Sequence, residues 1–198
     1  WHGLAALSSA ALVLAYGVAS LSFHASDLAL YQPKRESITL SEAQWRAQNW
    51  RELPQWREDI QGMNGQPLNL QYAGDPRVLT QALAAQGWRG ADTLSFENAL
   101  RLLSPSLSLM ELPLIPHVHD GHHEDLGLVK QEGEDGRLVL RLWATPYLID
   151  GRQPLWIGNV TAQHKRLILN LLAIPATGKD TIAALSASVP DFAALNPQ

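Results

Sequence analysis

Cysteine is absent from the 198 residues, which excludes a disulfide framework, a thiolate nucleophile and a thiolate metal site. Basic charge is scarce: 15 Lys and Arg against 19 Asp and Glu leave a net charge of -4, so there is no electrostatic footprint for nucleic acid. There is no Gly-x-Ser-x-Gly elbow, no strand-bounded glycine-rich phosphate loop and no dinucleotide fingerprint, so three common catalytic and cofactor signatures are missing. Internal repeats and low-complexity tracts are also lacking. Phenylalanine occurs three times, against seven tryptophans. What remains is an apolar fraction of 46%, enough to bury a proper core in one domain with an appendage. The chain opens at Trp1 inside an apolar run, without an initiator Met, and the expectation is the C-terminal piece of a longer protein.

From Gly3 to Phe23 no residue is charged, and a run of about 20 such residues suits a helix crossing the hydrocarbon core of a bilayer. Residues 1–24 are therefore read as a transmembrane helix, with small residues Ser9, Ala10, Gly17 and Ser20 placed for close helix packing. A signal peptide and a buried soluble helix are the alternatives. Residues 25–65 form a connector in which Ser41-Glu-Ala-Gln is a capping box, and an amphipathic helix from Trp45 ends before Pro54. Its Trp45, Trp50 and Trp56, with Arg46, Arg51 and Arg57, suit either a headgroup layer or docking on the domain.

Residues 66–190 carry the pattern of an α+β domain. It is expected to have a mostly antiparallel sheet of about five strands with two to three packed helices, followed by a tail over 191–198. Leu68–Tyr72 alternates as a strand; Asp75-Pro76 starts a helix with Val78, Leu79, Ala82 and Leu83 on one face, and Gly87 stops it. A second helix is predicted from Leu94 to Leu103, closed by Pro105. Leu126–Gln131 and Arg137–Trp143 form a hairpin with Leu138, Leu140 and Leu142 on one face. Asp150-Gly151 marks a primed turn into Leu155–Val160. Leu167–Leu172 reads as a strand ending at Pro175, and Thr177–Ser186 as a last helix with a loose tail beyond Pro190.

Two groups of residues are candidate sites. His117, His119, His122 and His123, with Asp120, Glu124 and Asp125, offer imidazole and carboxylate donors suited to zinc or another divalent ion. The alternative is that one of them, such as His119, bonds backbone at the Asp120-Gly121 turn while the others face solvent. The four imidazoles would also make the loop sensitive to pH. Arg141, Trp143, Trp156 and Asn159 lie on neighbouring strands and would line a concave face that stacks a sugar or holds a phosphate, with ordinary core packing as the alternative.

Several stretches together resemble the LssY-type C-terminal domain: Leu53-Pro54-Gln55-Trp56-Arg57, Gln66 to Gly74, Gly87-Trp88, Leu112-Pro113-x-x-Pro116 with His119-Asp120-Gly121, Leu140 to Trp143, and Leu155 to Val160. The resemblance runs from about Leu53 to near Ser186. It implies a bacterial inner-membrane protein in which this domain follows a type 2 phosphatidic acid phosphatase domain, often itself preceded by a DedA-like domain. It further implies a soluble domain on the periplasmic side. The phosphatase motifs are not here: there is no Pro-Ser-Gly-His, and His24-Ala-Ser-Asp27 lacks the spacing of the third motif, so no catalytic residue is assigned. The leading expectation is a membrane-tethered accessory or ligand-binding domain whose partners are membrane lipid or polyprenyl-phosphate headgroups and the upstream membrane domain. The alternative is a metal-dependent hydrolase using the loop 117–125, with metal-activated water and a nearby carboxylate base.

Overall fold

The computed structural model describes residues 37–47, 51–58 and 62–193, all within one unit, Ser37–Gln198. The chain begins with β1 (Ile38–Leu40), α1 (Glu42–Ala47), β2 (Trp56–Glu58), β3 (Asn64–Pro67), β4 (Leu70–Ala73), α2 (Pro76–Ala84) and β5 (Arg89–Gly90). Short 3-10 turns at Ala99–Leu103 and Leu109–Glu111 lead to β6 (Val118–His119) and β7 (His122–His123). The remainder is β8 (Leu126–Glu132), β9 (Gly136–Ile149), β10 (Gln153–Ile168), β11 (Leu172–Thr177) and α3 (Thr181–Ala193).

The long hairpin β9–β10 carries everything else. Asp150 and Gly151 turn it with φ of 49° and 69°, the positive values of a primed turn whose twist matches that of the strands. Each long strand changes its outer neighbour partway. β9 pairs antiparallel with β8 along its first half and parallel with β1 at Tyr147–Ile149, while β10 pairs with β4 at Leu155–Gly158 and with β11 from Gln163 onward. With β5 on β8, the result is a seven-stranded, mostly antiparallel sheet, ordered β11-β10-β9-β8-β5 with β1 and β4 set beside it. Between β4 and β11, residues 159–162 of β10 have neither neighbour; there the Val160 N–H donates to Asn69 Oδ1 at 3.1 Å.

Alternation gives the two faces of the sheet different covers. Leu138, Leu140 and Leu142 face the helices, where they join Leu79 and Leu83 of α2, Trp88, Leu128, Val160 and Ala184 of α3 in the main core. Each such leucine, fully buried, contributes about 1.5–3 kcal/mol. α2 starts where predicted: Asp75 accepts from Arg77 N at 2.8 Å and Pro76 opens the helix. It stops at Gly87 (φ 88°), where Trp88 N donates to Leu83 O at 3.1 Å. α1 has the reciprocal cap between Ser41 and Gln44, and Trp45 docks on the domain, its Nε1 donating to Gln71 Oε1 at 2.7 Å. Trp50 lies outside the described residues.

Four expectations are corrected. Leu94–Leu103 is not an α-helix: Ser95 N donates to Asn98 Oδ1 and Asn98 Nδ2 to Thr93 O, a local network that replaces the first helical turn, leaving only the 3-10 turn from Ala99. Leu167–Leu172 is not one strand: Leu169 and Asn170 adopt φ of 51° and 55°, so the chain reverses there, and Pro175 sits inside edge strand β11. Val78 points to solvent rather than into the core. The last helix runs through Pro190 to Ala193, because Asp191 is bound by both Trp88 Nε1 (2.9 Å) and Lys130 Nζ (2.7 Å), contacts that outweigh one missing N–H. Residues 1–24, read as a transmembrane helix, lie outside the described residues; among those described, no helix is long and apolar enough to cross a membrane.

Candidate functional site

The second face of the hairpin is polar and yet buried. Arg137, Val139, Arg141 and Trp143 of β9 stand opposite Gln163, Thr161, Asn159 and Ile157 of β10, in register and on one side of the sheet. Arg141, Trp143, Asn159 and Thr161 are each 0% exposed. Covering them are the segment from Leu109 to Asp125 and the strand pair β2–β3. Gly127 faces Arg141 across β8, and a Cβ there would stand 2.9 Å from Leu114 Cδ2, so its missing side chain is what lets the cover lie flat on the sheet.

The guanidinium groups are held by different partners. Arg137 donates to Gln163 Oε1 at 2.9 Å and to the carbonyls of Leu109 and Leu112 at 2.8 and 2.9 Å. Arg141 pairs with Glu124 Oε1 at 3.2 Å, both side chains being almost fully buried, and reaches Ile115 O at 3.4 Å. The other Glu124 oxygen accepts from the backbone N–H of His117 at 2.7 Å, so one carboxylate ties the cover to the sheet. Arg57 of β2 donates to Val118 O at 2.7 Å, its guanidinium lying against Gly65. Burial first, then repulsion from neighbouring arginines, lowers Arg137 to about 10; burial lowers Arg141 to about 10 as well, partly offset by Glu124. Both remain charged at neutral pH, and among the described residues Glu124 is the carboxylate paired with Arg141.

Polar atoms are left over. Arg137 Nη2, Arg141 Nη1, Trp143 Nε1, Asn159 Oδ1, Thr161 Oγ1, His117 Nδ1 and Gln66 Oε1 are buried and meet no hydrogen-bonding partner among the described residues. Buried polar atoms are normally satisfied, and each one left unmet costs about 1–3 kcal/mol. Those of Arg137, Arg141, Trp143, Asn159 and Thr161 lie along one face of the hairpin, where ordered water or a bound group would meet them.

Of the residues singled out from the sequence, Arg141, Trp143 and Asn159 share this face. Trp156 does not: it falls on the helix side, where its Nε1 donates to Gly74 O at 3.0 Å. The four histidines are divided. His119 and His122 are partners across the β6–β7 hairpin, turned by Asp120-Gly121 with φ of 48° and 78°. His119 is buried, accepts from Glu58 N at 3.3 Å and meets Trp143 edge-on at 5.9 Å; burial lowers its pKa. His117 points its backbone at Glu124, and burial together with the charges of Arg141 and Arg57 lowers its imidazole to about 3. His122 lies 3.8 Å from Asp125 and 3.2 Å from Asp120 O, and His123 is exposed. Among the described residues no three His, Asp or Glu side chains stand together to hold a metal ion.

Arg137, Thr161 and Gln163 were not singled out from the sequence, and Arg57 reads there as part of the Trp/Arg-rich segment and not as a member of this face. Strand alternation alone puts Arg137 opposite the leucine face, where a solvent-facing residue would stand. The signal against that reading was Val139 and Trp143 sharing its side, since a face carrying both asks to be covered.

A family model described as LssY C-terminus matches residues 50–174, a stretch that spans β2 through β10 and every residue of the polar face. Among curated proteins and solved structures, none matches the chain. With more than half of its length inside that match, the chain belongs to the LssY C-terminus family.

Proposed function

We propose that the domain is a binding module whose arginine-bearing face receives an anionic, phosphate-type group, without catalysis of its own. The observation that carries this is the set of buried, unmet donors on Arg137, Arg141 and Trp143 along one face. Arginine forks match phosphate and carboxylate oxygens, and in a dry site an anion there gains the full electrostatic benefit. In keeping with the family context, the module serves a bacterial inner-membrane protein of the phosphatidic acid phosphatase or DedA type. It is tethered by the apolar residues 1–24, with its soluble part on the periplasmic side, and the phosphate belongs to a phospholipid or polyprenyl-phosphate headgroup. The metal-dependent hydrolase reading draws less support, because His119 is committed to Glu58 N and Trp143, and His123 points away.

Ligand-linked stability tests the proposal. A ligand at a hundredfold excess over Kd stabilises a protein by about 2.7 kcal/mol. Inorganic phosphate, glycerol phosphate and a short-chain phosphatidic acid below its micellar concentration are compared by thermal melting and by tryptophan emission, which Trp143 reports directly. A shift with all three identifies the phosphate itself, and a shift with the lipid alone identifies the headgroup in its acyl context. No shift with any of them, in wild type that melts cooperatively, refutes the anion site. The Arg141→Met, Glu124→Leu double variant, which replaces the buried pair by apolar side chains and leaves Arg137 in place, is expected to weaken the shift.

A further inference from the structure

The β10–β11 hairpin ends in an aliphatic tip that the fold does not need. Leu167, Ile168, Leu169 and Leu171 are all exposed, Leu169 at 86% and Leu171 at 69%. Leu169 also occupies a left-handed turn position, φ 51°, where glycine, asparagine or aspartate is the unstrained choice and a leucine is unfavourable. A large apolar side chain kept both strained and in water at the apex of a turn marks a contact surface. The 3-10 turn Ala99–Leu103 packs on β11 through Leu102, which joins Ala173 in a small core, and it carries two further exposed leucines, Leu100 and Leu103, at this end of the sheet.

The charge around the tip identifies what it meets. From residue 151 to 179 there is no Asp or Glu, and the two basic residues on the tip side of the β10–β11 hairpin are Lys165 and Arg166, in a chain whose net charge is -4. Lys165 and Arg166 directly precede the aliphatic run, and Lys165 Nζ is held by the carbonyls of Pro105 and Leu107 at 3.2 and 3.0 Å. The neighbouring acids Asp92 and Glu111 are engaged with Arg101 and with Ser108. A convex aliphatic finger with basic residues at its base is complementary to a bilayer carrying anionic headgroups: the leucines enter the acyl boundary and the cations stay at the phosphate level.

We propose that the hairpin tip Leu167–Leu171, with Leu100 and Leu103 beside it, docks this domain on an anionic lipid surface. This surface makes no use of the arginine-bearing face, and the two readings stand or fall separately. Because the chain has no cysteine, a single Leu169→Cys substitution places one environment-sensitive fluorophore at the apex of the full 198-residue protein. An Arg152→Cys variant, labelled at the opposite end of the β9–β10 hairpin, is the control. With mixed phosphatidylcholine–phosphatidylglycerol vesicles the label at 169 is expected to shift to the blue and to be quenched by acyl-chain quenchers, while the label at 152 stays in water. Pure phosphatidylcholine should have a much smaller effect. Adding Leu171→Asp is expected to raise the lipid concentration for half-maximal shift by about tenfold or more, the loss expected for one leucine. A label at 169 that remains aqueous on anionic vesicles overturns the proposal. So does a shift that appears without lipid and grows with protein concentration, which would assign the tip to a second copy of the chain.

Discussion

Replacing Glu124 by Gln removes the single carboxylate that faces Arg141 in the interior. The pair is formed at 3.2 Å with both side chains nearly inaccessible, and the second oxygen of Glu124 holds the His117 N–H. Breaking a buried ion pair from one side leaves the other charge uncompensated and costs about 3–5 kcal/mol. For a domain of this size each kcal/mol lowers Tm by about 2–4 °C, so a fall of about 10–15 °C is expected. Thermal melting at neutral pH and low salt reads it. The Arg141→Met, Glu124→Leu variant should recover most of the loss, since replacing both charges by apolar groups of similar volume is often neutral or stabilising. Phosphate should stabilise Glu124→Gln more than wild type, because an anion there takes over the role of the missing carboxylate. A Glu124→Gln protein melting within about 2 °C of wild type would refute the reasoning. It would mean that Arg141 is hydrated or displaced in solution, and the anion site would lose its electrostatic basis with it.

Acid titration follows from His117, whose imidazole is held neutral in the fold with a pKa of about 3 against an ordinary value near 6.5. Below 6.5 the unfolded chain binds the proton and the folded chain does not, so this contribution to stability is lost as pH falls from about 6.5 towards 3, by up to roughly 1.4 kcal/mol per pH unit. Chemical denaturation of wild type and His117→Gln across that range checks it; equal slopes would be the contrary result. Asp191→Ala strips Trp88 Nε1 and Lys130 Nζ of their shared acceptor and is expected to cost about 2–4 kcal/mol, read from urea midpoints. Leu169→Asn relieves the left-handed leucine and should raise stability by about 0.5–1 kcal/mol, with a lower Tm the outcome that counts against strain at that turn. Elemental analysis of dialysed protein beside a His119→Ala, His122→Ala variant is expected to find no stoichiometric zinc; near one metal per chain, abolished in the variant, would restore the hydrolase reading.

Much of the scaffold was legible because local chemistry and tertiary packing agree there. Asp75-Pro76 and Gly87 bound α2 on both sides, Asp150-Gly151 turns the central hairpin, and Leu138, Leu140 and Leu142 alternate onto the helix face. The misreadings fall where a local alternative competes or where the deciding partner is remote. Asn98 draws Ser95 and Thr93 into a turn within a stretch that has helical spacing, and Asn170 makes a reversal available inside an apolar run. Helix α3 passes Pro190 because Trp88 and Lys130, 103 and 61 residues away along the chain, reach the side chain of Asp191. The arginine-bearing face was legible in part: Arg141, Trp143 and Asn159 were grouped from their neighbouring strands, whereas Arg137 alternates like a solvent-facing residue, and its burial comes from a cover of non-repeating structure between Leu109 and Asp125 that no periodicity announces.

The outer edge of β10 is held by side chain and turn where its strand neighbours change over. Between the start of β4 and the end of β11 the strand is bonded by Asn69, which accepts from Val160 N at 3.1 Å and donates to Thr181 O of α3 at 3.3 Å, and by Gly178 N, which donates to Ala162 O at 2.8 Å. Asn159 and Thr161, two of the residues with unmet polar atoms, sit at this gap. One amide side chain thus takes the place of a missing strand residue there, bonding the sheet on one side and helix α3 on the other, so that Asn69→Leu would leave the Val160 N–H without its acceptor beside the two residues whose polar atoms are already unmet.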